Sequence, residues 1–137
     1  MDDGIVLLVV DGDWDYLQLA KGLAQNLGHT CIVAGDAEEA VAKYRSILPD
    51  AVLMDIVMPV PRGLEALAVI LTEDPEAHFL FVSGLEDAVG ESVRGFGREL
   101  SIHKKPRTAD QLNAILKDVK PTVEPRVAPR TVLPPAC

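Results

Sequence analysis

Side chains that can do chemistry stand at the ends of successive apolar runs in this sequence. The runs cover residues 5–10, 51–54, 78–83 and 100–103. The polar residues that close or follow these runs, and that are therefore candidate site residues, are Asp11, Asp13, Asp55, Ser83 and Lys105. If the runs are neighbouring parallel strands, three acids, one hydroxyl and one lysine meet at one edge of a sheet.

A cluster of carboxylates beside a lysine suits phosphoryl chemistry. Two carboxylates about 5 Å apart repel each other by roughly 3 kcal/mol at an effective dielectric constant of 20, so the cluster needs a cation. Mg²⁺ commonly takes one or two carboxylates plus waters and a phosphate. A carboxylate can attack phosphorus and form an aspartyl phosphate, while a lysine and a metal ion neutralise the transferring phosphoryl group. The pattern predicts an Mg²⁺-assisted phosphoryl site.

Predicted strands and helices alternate along the chain. The strands are 5–10, 30–34, 51–54, 78–83 and 100–103, and helices follow them, including a glycine-rich, poor helix around 86–95. Five such β-α units predict an α/β fold, a doubly wound five-stranded parallel sheet with five helices. In such folds the working site lies at the carboxyl ends of the strands.

Two short motifs predict where helices begin. Asp36 with Glu39, and Thr108 with Gln111, fit capping boxes at the starts of the second and the last helix. The apolar spacing of the second helix predicts an inner face made of Ala40, Tyr44, Ile47 and Leu48.

Composition limits the classes of partner and location. The net charge of −8 argues against nucleic acid and against an anionic membrane surface. The acidic start lacks the basic region of a signal peptide, and the longest apolar run is far too short to span a membrane. We therefore expect a cytoplasmic protein with no membrane partner.

The end of the sequence differs from the rest. Residues 121–137 contain five prolines and have neither a helical nor a strand period. This composition is typical of an extended segment outside the packed domain, and a proline-rich ligand for another domain is the alternative. We predict one domain over residues 1–120 and a tail over 121–137.

Four motifs together resemble a known family. "VLLVVDGD", "LMDIVMP", "FVSG" and "KKP", in this order and spacing, are similar to the receiver domain of two-component response regulators, over about residues 4–119. The resemblance implies a flavodoxin-like (βα)5 fold. It also implies a non-enzymatic switch that accepts a phosphoryl group from a histidine kinase or phosphotransfer protein. Such a switch changes its binding of a downstream partner through the face formed by the fourth predicted helix (86–95), the fifth predicted strand (100–103) and the fifth, last helix.

The resemblance also assigns roles to single residues. Asp55 matches the phosphoacceptor, and Asp11 matches an acid that holds Mg²⁺ together with Asp55 and the backbone carbonyl of Val57. Ser83 and Lys105 match the residues that stabilise the phosphoryl group. Ile102 matches the switch position, and the Lys105–Pro106 bond matches the family's cis peptide bond.

The sequence departs from the family at several of these positions. Gly12 stands where the family has its second acidic residue, and Ile102 replaces the usual aromatic residue. Val57 and Leu85 are apolar at positions that control how water reaches the phosphoryl group. The missing acid at Gly12 predicts weak Mg²⁺ binding, and the apolar residues Val57 and Leu85 predict slow loss of the phosphoryl group. Gly12 and Ile102 also leave open a phosphorylation-independent pseudo-receiver that acts by protein binding.

Asp13 has two interpretations. A turn at Gly12 would swing its carboxylate toward the metal, which makes Asp13 a further candidate ligand. Alternatively, Asp13 only caps the first helix.

An enzyme is the alternative from another class. "VVDGD" also resembles the Asp-x-Asp motif of haloacid-dehalogenase-type phosphatases. That family needs a later acidic pair on a further strand, which this sequence lacks, and Asp55 would have no role.

The third helix is apolar beyond one face. Leu64, Leu67 and Ile70 suffice for the core, whereas the further apolar residues predicted to face outward are Ala68, Val69 and Leu71. Exposed apolar patches often mark interfaces, so this face predicts a homodimer or a partner contact. A slightly rotated helix, or one covered by the tail, is the alternative.

Overall fold

A computed structural model of the chain describes residues 4–55, 62–83, 92–95, 98–119 and 121. The strands are β1 Val6–Val10, β2 Thr30–Ala34, β3 Ala51–Asp55, β4 Phe79–Ser83, β5 Ser92–Gly95 and β6 Arg98–Lys104. The helices of the described part are α1 Trp14–Asn26, α2 Ala37–Ile47, α3 Arg62–Glu73 and α4 Ala109–Leu116. None of these helices is long and apolar enough to cross a membrane.

One sheet organises the domain. Its strand order is β2-β1-β3-β4-β6-β5. The strand pairs β2–β1, β1–β3, β3–β4 and β4–β6 are parallel, whereas β5 pairs with β6 in the antiparallel direction. The five parallel strands correspond to the five predicted strands, and the doubly wound α/β fold is confirmed.

The prediction of a helix around 86–95 is wrong for residues 92–95, which form the edge strand β5. Glycine lowers helix stability, and the outer edge of β6 offers unpaired backbone groups with which an extended segment can pair. Residues 84–91 lie outside the described part. Strand β6 is also longer than the predicted 100–103.

Alternate residues of each central strand serve two cores, because successive side chains of a strand point to opposite faces. Leu8 and Val10 pack in the cluster that includes α2 and α3 side chains. Leu7 and Val9 pack in the cluster that includes α1 and α4 side chains. The central strand β1 is therefore covered on both faces, which explains its uninterrupted apolar sequence.

Both predicted caps are present, but the return hydrogen bond of each box comes from the residue before the N-cap, Gly35 or Arg107. The Asp36 carboxylate accepts a hydrogen bond from the Glu39 N–H at 2.8 Å, and the Glu39 carboxylate accepts one from the Gly35 N–H at 2.8 Å. The Gln111 N–H donates to the Thr108 hydroxyl at 3.2 Å. The second box begins α4 directly after the loop that carries Lys105, and so limits where that loop can lie.

Two predicted faces need correction. Ile47, predicted to face inward, is 37% exposed, because α2 ends there and Leu48 adopts a left-handed conformation with φ of 52°. Leu71, predicted to face outward, is 6% exposed, whereas Val69 is 37% exposed. Helix α3 packs against α2 as well as the sheet, so its buried face is wider than one stripe.

Polar contacts join α2 to the end of α3. The Tyr44 hydroxyl donates to the Asp74 carboxylate at 2.6 Å. Arg45 forms a two-bond ion pair with Glu73. These contacts join the last turn of α2 to the end of α3, close in sequence to the buried Leu71.

The different burial of Leu71 and Val69 gives a test of the α3 face. Leu71→Glu places a charge in the core and should lower the free energy of unfolding by about 3 kcal/mol or more. Val69→Lys should leave stability within about 0.5 kcal/mol of wild type. Denaturant unfolding measures both. If Val69→Lys destabilises the protein as strongly as Leu71→Glu, Val69 belongs to the core and its side of α3 is not an interface.

The predicted domain boundary at residue 120 is tested by truncation. Val119 is buried, and its N–H donates to the Leu116 carbonyl at 2.9 Å. A chain ending at Pro121 should therefore keep the melting temperature of the full chain, while one ending at Asp118 should melt several degrees lower. A large loss on removing 122–137 alone would mean that the tail packs on the domain.

Candidate functional site

The sheet register brings the candidate residues to one end of the fold. Asp55 closes β3 and is paired with Val82 of β4, and Ser83 is paired with Lys104 of β6. Asp11 follows β1, where its N–H donates to the Ala34 carbonyl at 3.1 Å. The carboxyl ends of β1, β3, β4 and β6 thus converge, as the strand-end argument predicts.

Asp11 is the deepest member of the site. Its side chain is 1% exposed. One carboxylate oxygen, Oδ1, accepts a hydrogen bond from the Asp13 N–H at 2.8 Å. The other, Oδ2, is buried without a hydrogen bond of good geometry and lies 2.8 Å from the Lys105 ammonium nitrogen. Burial, assisted by the Asp55 charge, raises the pKa of Asp11, although Lys105 and the Asp13 N–H act in the opposite direction.

Lys105 lies between two carboxylates. Its Nζ is 2.8 Å from Asp11 Oδ2 and 3.2 Å from Asp55 Oδ2. Burial disfavours the ammonium, but the two carboxylates outweigh this effect and raise the pKa of Lys105 above its ordinary value. The ammonium thus offsets part of the negative charge that the two carboxylates bring to the site.

Backbone pairing holds the lysine in place. The Lys105 N–H donates to the Ser83 carbonyl at 2.9 Å, immediately beyond the β4–β6 ladder. Ser83 itself is fully buried at the end of β4. The structure therefore brings Asp11, Asp55, Ser83 and Lys105 to one sheet edge, while their individual chemical roles stay predictions.

Asp13 is engaged by the first helix. Its carboxylate accepts hydrogen bonds from the N–H groups of Asp15 at 3.0 Å and Tyr16 at 3.4 Å, which makes it the N-cap of α1. Gly12 lies outside the left-handed region, so the suggested unusual turn at this glycine is absent. The geometry matches the capping interpretation, and a metal-binding role for Asp13 stays a prediction.

Tyr16 is a site neighbour that the sequence did not suggest. Its ring is buried, and its centroid lies 4.5 Å from the Lys105 ammonium nitrogen. Its hydroxyl donates to the Pro106 carbonyl at 2.7 Å. The available signal was spacing, because Tyr16 lies one helical turn before the inward-facing Ala20. No pattern in the sequence pairs it with Lys105.

Two of the four remaining predicted positions lie in the described part of the structure. Ile102 is buried in β6 and packs in the cluster on the α2 and α3 side. Pro106 is buried beside Lys105, and the cis geometry of the bond between them stays a prediction. Val57 and Leu85 lie outside the described residues.

Two of the site residues carry the kind of ligand that Mg²⁺ takes from proteins. Asp11 and Asp55 supply two carboxylates, which is within the number that Mg²⁺ usually takes from a protein. The buried Asp11 Oδ2 has a cation as its close partner, which indicates that this position attracts positive charge. Among the described residues, no group of three or more acidic, histidine or cysteine side chains is arranged to hold a metal.

Known sequences similar to this chain include chemotaxis proteins and a nitrogen assimilation regulatory protein. A family model described as the response regulator receiver domain matches residues 7–117. A chemotaxis protein CheY of Listeria monocytogenes is 33% identical over 118 residues, covering 83% of this chain and 98% of that protein. The nitrogen assimilation regulatory protein NtrX of Azorhizobium caulinodans is 31% identical over 125 residues, covering 88% of this chain but 27% of NtrX.

Solved structures give the same result. The response regulator TrrA of Thermotoga maritima, in complex with Mg(2+)-BeF, aligns with a TM-score of 0.67 and 26% identity, covering 82% of this chain and 96% of TrrA. The chemotaxis protein CheY4 of Vibrio cholerae aligns with a TM-score of 0.69 over 85% of this chain and 98% of CheY4. At 21% identity this second likeness concerns the fold alone. The family-model match and the CheY relatives carry the assignment: this chain belongs to the response regulator receiver domain family.

Proposed function

We propose that this chain is a phosphorylation-controlled switch in which Asp55 accepts a phosphoryl group from a histidine kinase or phosphotransfer protein. The observation that carries the proposal is the Lys105 ammonium held between Asp11 and Asp55 at the carboxyl edge of the sheet. Receiver domains are in general non-enzymatic signalling modules, which favours a switch over the phosphatase alternative. The net charge of −8 favours protein partners over nucleic acid or anionic membranes.

Each side chain has a part in the proposed transfer. A carboxylate oxygen of Asp55 forms the new bond to phosphorus as the bond between phosphorus and the donor's leaving group breaks. The Lys105 ammonium offsets the negative charge that the phosphoryl oxygens bring into the site. The Ser83 hydroxyl donates to one of those oxygens. The contact of Lys105 with the acceptor lets addition of the phosphoryl group alter the position of the β6–α4 loop.

Mg²⁺ would be held by Asp11 and Asp55, together with the backbone carbonyl of Val57 as the family resemblance implies. When bound, the ion supplies positive charge to the phosphoryl oxygens. The similarity to TrrA, whose structure is a complex with Mg(2+)-BeF, supports this proposal. Binding should be weak, because Gly12 supplies no carboxylate and Lys105 already occupies both Oδ2 atoms.

A phosphorylation-independent pseudo-receiver is the second candidate. Its support is that Gly12 supplies no second carboxylate and that Ile102, buried in β6, stands where the family usually has an aromatic residue. In both candidates the output is a protein contact, either by the face that includes β6 and α4 or by the exposed Val69 of α3. The second surface also suits a homodimer.

Phosphodonor labelling separates the two candidates. Incubation with acetyl phosphate and Mg²⁺ should add one phosphoryl group per chain, seen by intact mass, because Asp55 is the one acceptor proposed. Asp55→Asn should abolish the addition, while Asp110→Asn, which removes an exposed acid from α4, should keep it. An unlabelled wild type would refute the phosphoacceptor proposal and favour the pseudo-receiver.

The weakness of Mg²⁺ binding is tested at Gly12. A Cβ built at this glycine meets no other atom within 4 Å, so Gly12→Asp should fold normally and raise Mg²⁺ affinity by about tenfold or more. Asp13→Asn keeps a good N-cap and should leave the affinity unchanged. Trp14, the single tryptophan of the sequence, is 65% exposed and directly follows the N-cap Asp13. Its fluorescence can follow the titration, with calorimetry as a second measurement. An affinity that Gly12→Asp does not improve would contradict this account.

A further inference from the structure

Tyr16 makes two contacts with the segment that carries the site lysine. Its ring centroid lies 4.5 Å from the Lys105 ammonium nitrogen, within the range of a cation–π contact. Its hydroxyl donates to the Pro106 carbonyl at 2.7 Å in a buried hydrogen bond that joins residues 90 positions apart. One side chain of α1 thus touches two consecutive residues of the β6–α4 loop.

The position of a lysine ammonium depends strongly on the groups that contact it. This ammonium is carried on a flexible four-carbon stem, and here two carboxylates contact it, at 2.8 and 3.2 Å. Gly12 contributes no third carboxylate. The aromatic ring adds another contact to the ammonium, and a ring face attracts a cation most strongly where water is excluded, as it is at this buried lysine.

The hydroxyl keeps the ring in position. Burial raises the pKa of the Tyr16 phenol, and the nearby Asp11 charge raises it further. The phenol therefore stays protonated at neutral pH and remains a donor to Pro106. The backbone of Tyr16 is also fixed, because its N–H donates to the capping carboxylate of Asp13.

From these contacts we propose that Tyr16 is a positioning residue whose ring holds the Lys105 ammonium between the carboxylates of Asp11 and Asp55. The role in phosphoryl transfer rests on the proposed function, whereas the effect on the lysine does not. The competing explanation is that Tyr16 only fills the core beside α1 and α4, where its ring also packs.

The first test measures the lysine without any phosphate. Reductive methylation with formaldehyde, read by peptide mass spectrometry, compares buried Lys105 with its exposed neighbour Lys104 in the same chain. Wild type should modify Lys105 most slowly, and Tyr16→Phe, which keeps the ring but loses the hydrogen bond to Pro106, should modify Lys105 only slightly faster. Tyr16→Leu and Tyr16→Met should modify Lys105 several-fold faster, with Lys104 unchanged.

A packing control separates positioning from loss of core volume. Leu17→Ala removes a buried neighbour from the same helix and cluster, and all variants are compared well below their melting temperatures. Leu17→Ala should leave the Lys105 rate near wild type. The proposal is overturned if Leu17→Ala accelerates Lys105 as much as Tyr16→Leu does, if Tyr16→Leu has no effect, or if Tyr16→Phe behaves like Tyr16→Leu.

The second test asks whether Tyr16 acts through Lys105. Tyr16→Leu should slow labelling of Asp55 by acetyl phosphate several-fold in the wild-type chain, but should cause no further loss in a Lys105→Met background. Such non-additivity is the signature of two residues that act as one unit. Equal losses in both backgrounds would overturn the proposal. If the wild type is not labelled, the proposed function fails, and the methylation result still decides the role of Tyr16.

Discussion

The position of one ammonium group between two carboxylates is the constraint on which the rest of the site depends. Asp11 and Asp55 end neighbouring parallel strands, so the sheet itself forces their charges together. Lys105 offsets part of that repulsion at 2.8 and 3.2 Å. It reaches this position because its backbone continues the β4–β6 pairing and because the Thr108 side chain caps the start of α4 directly after the loop.

Burial of the Asp11 carboxylate at the site lowers the stability of the folded chain. A buried carboxylate with a raised pKa, as at Asp11, is less favourable in the folded chain than in water. Such groups concentrate at functional sites, where a fixed charge is needed. Gly12 lowers the local negative charge by one relative to an acidic residue at this position. The same change that eases repulsion between carboxylates would also remove a ligand from the proposed metal site, so stability and the proposed metal affinity would be opposed here.

The two sides of the sheet differ in what they connect. On one side, α2 and α3 are joined by Tyr44 with Asp74 and by Arg45 with Glu73, and these contacts leave Val69 exposed. On the other side, α1 packs against α4 and carries the tyrosine that reaches the lysine loop. Lys105 therefore connects the acidic site by direct contact to Tyr16 of α1 and, through its own loop, to the start of α4.

Patterns local in sequence determined most of the architecture. Apolar runs predicted all five parallel strands, and short-range spacing predicted the caps at Asp36 and Thr108, because these features depend on neighbours within a few residues. The positions of Asp11, Asp55, Ser83 and Lys105 at one edge followed from the rule that the carboxyl ends of parallel strands meet at the same edge of a sheet. Only the tertiary structure decided that 92–95 pairs as an edge strand, that Leu71 is buried, and that Tyr16 covers Lys105. Each of these depends on which surface a residue meets across the fold, and sequence periodicity contains no information about that partner.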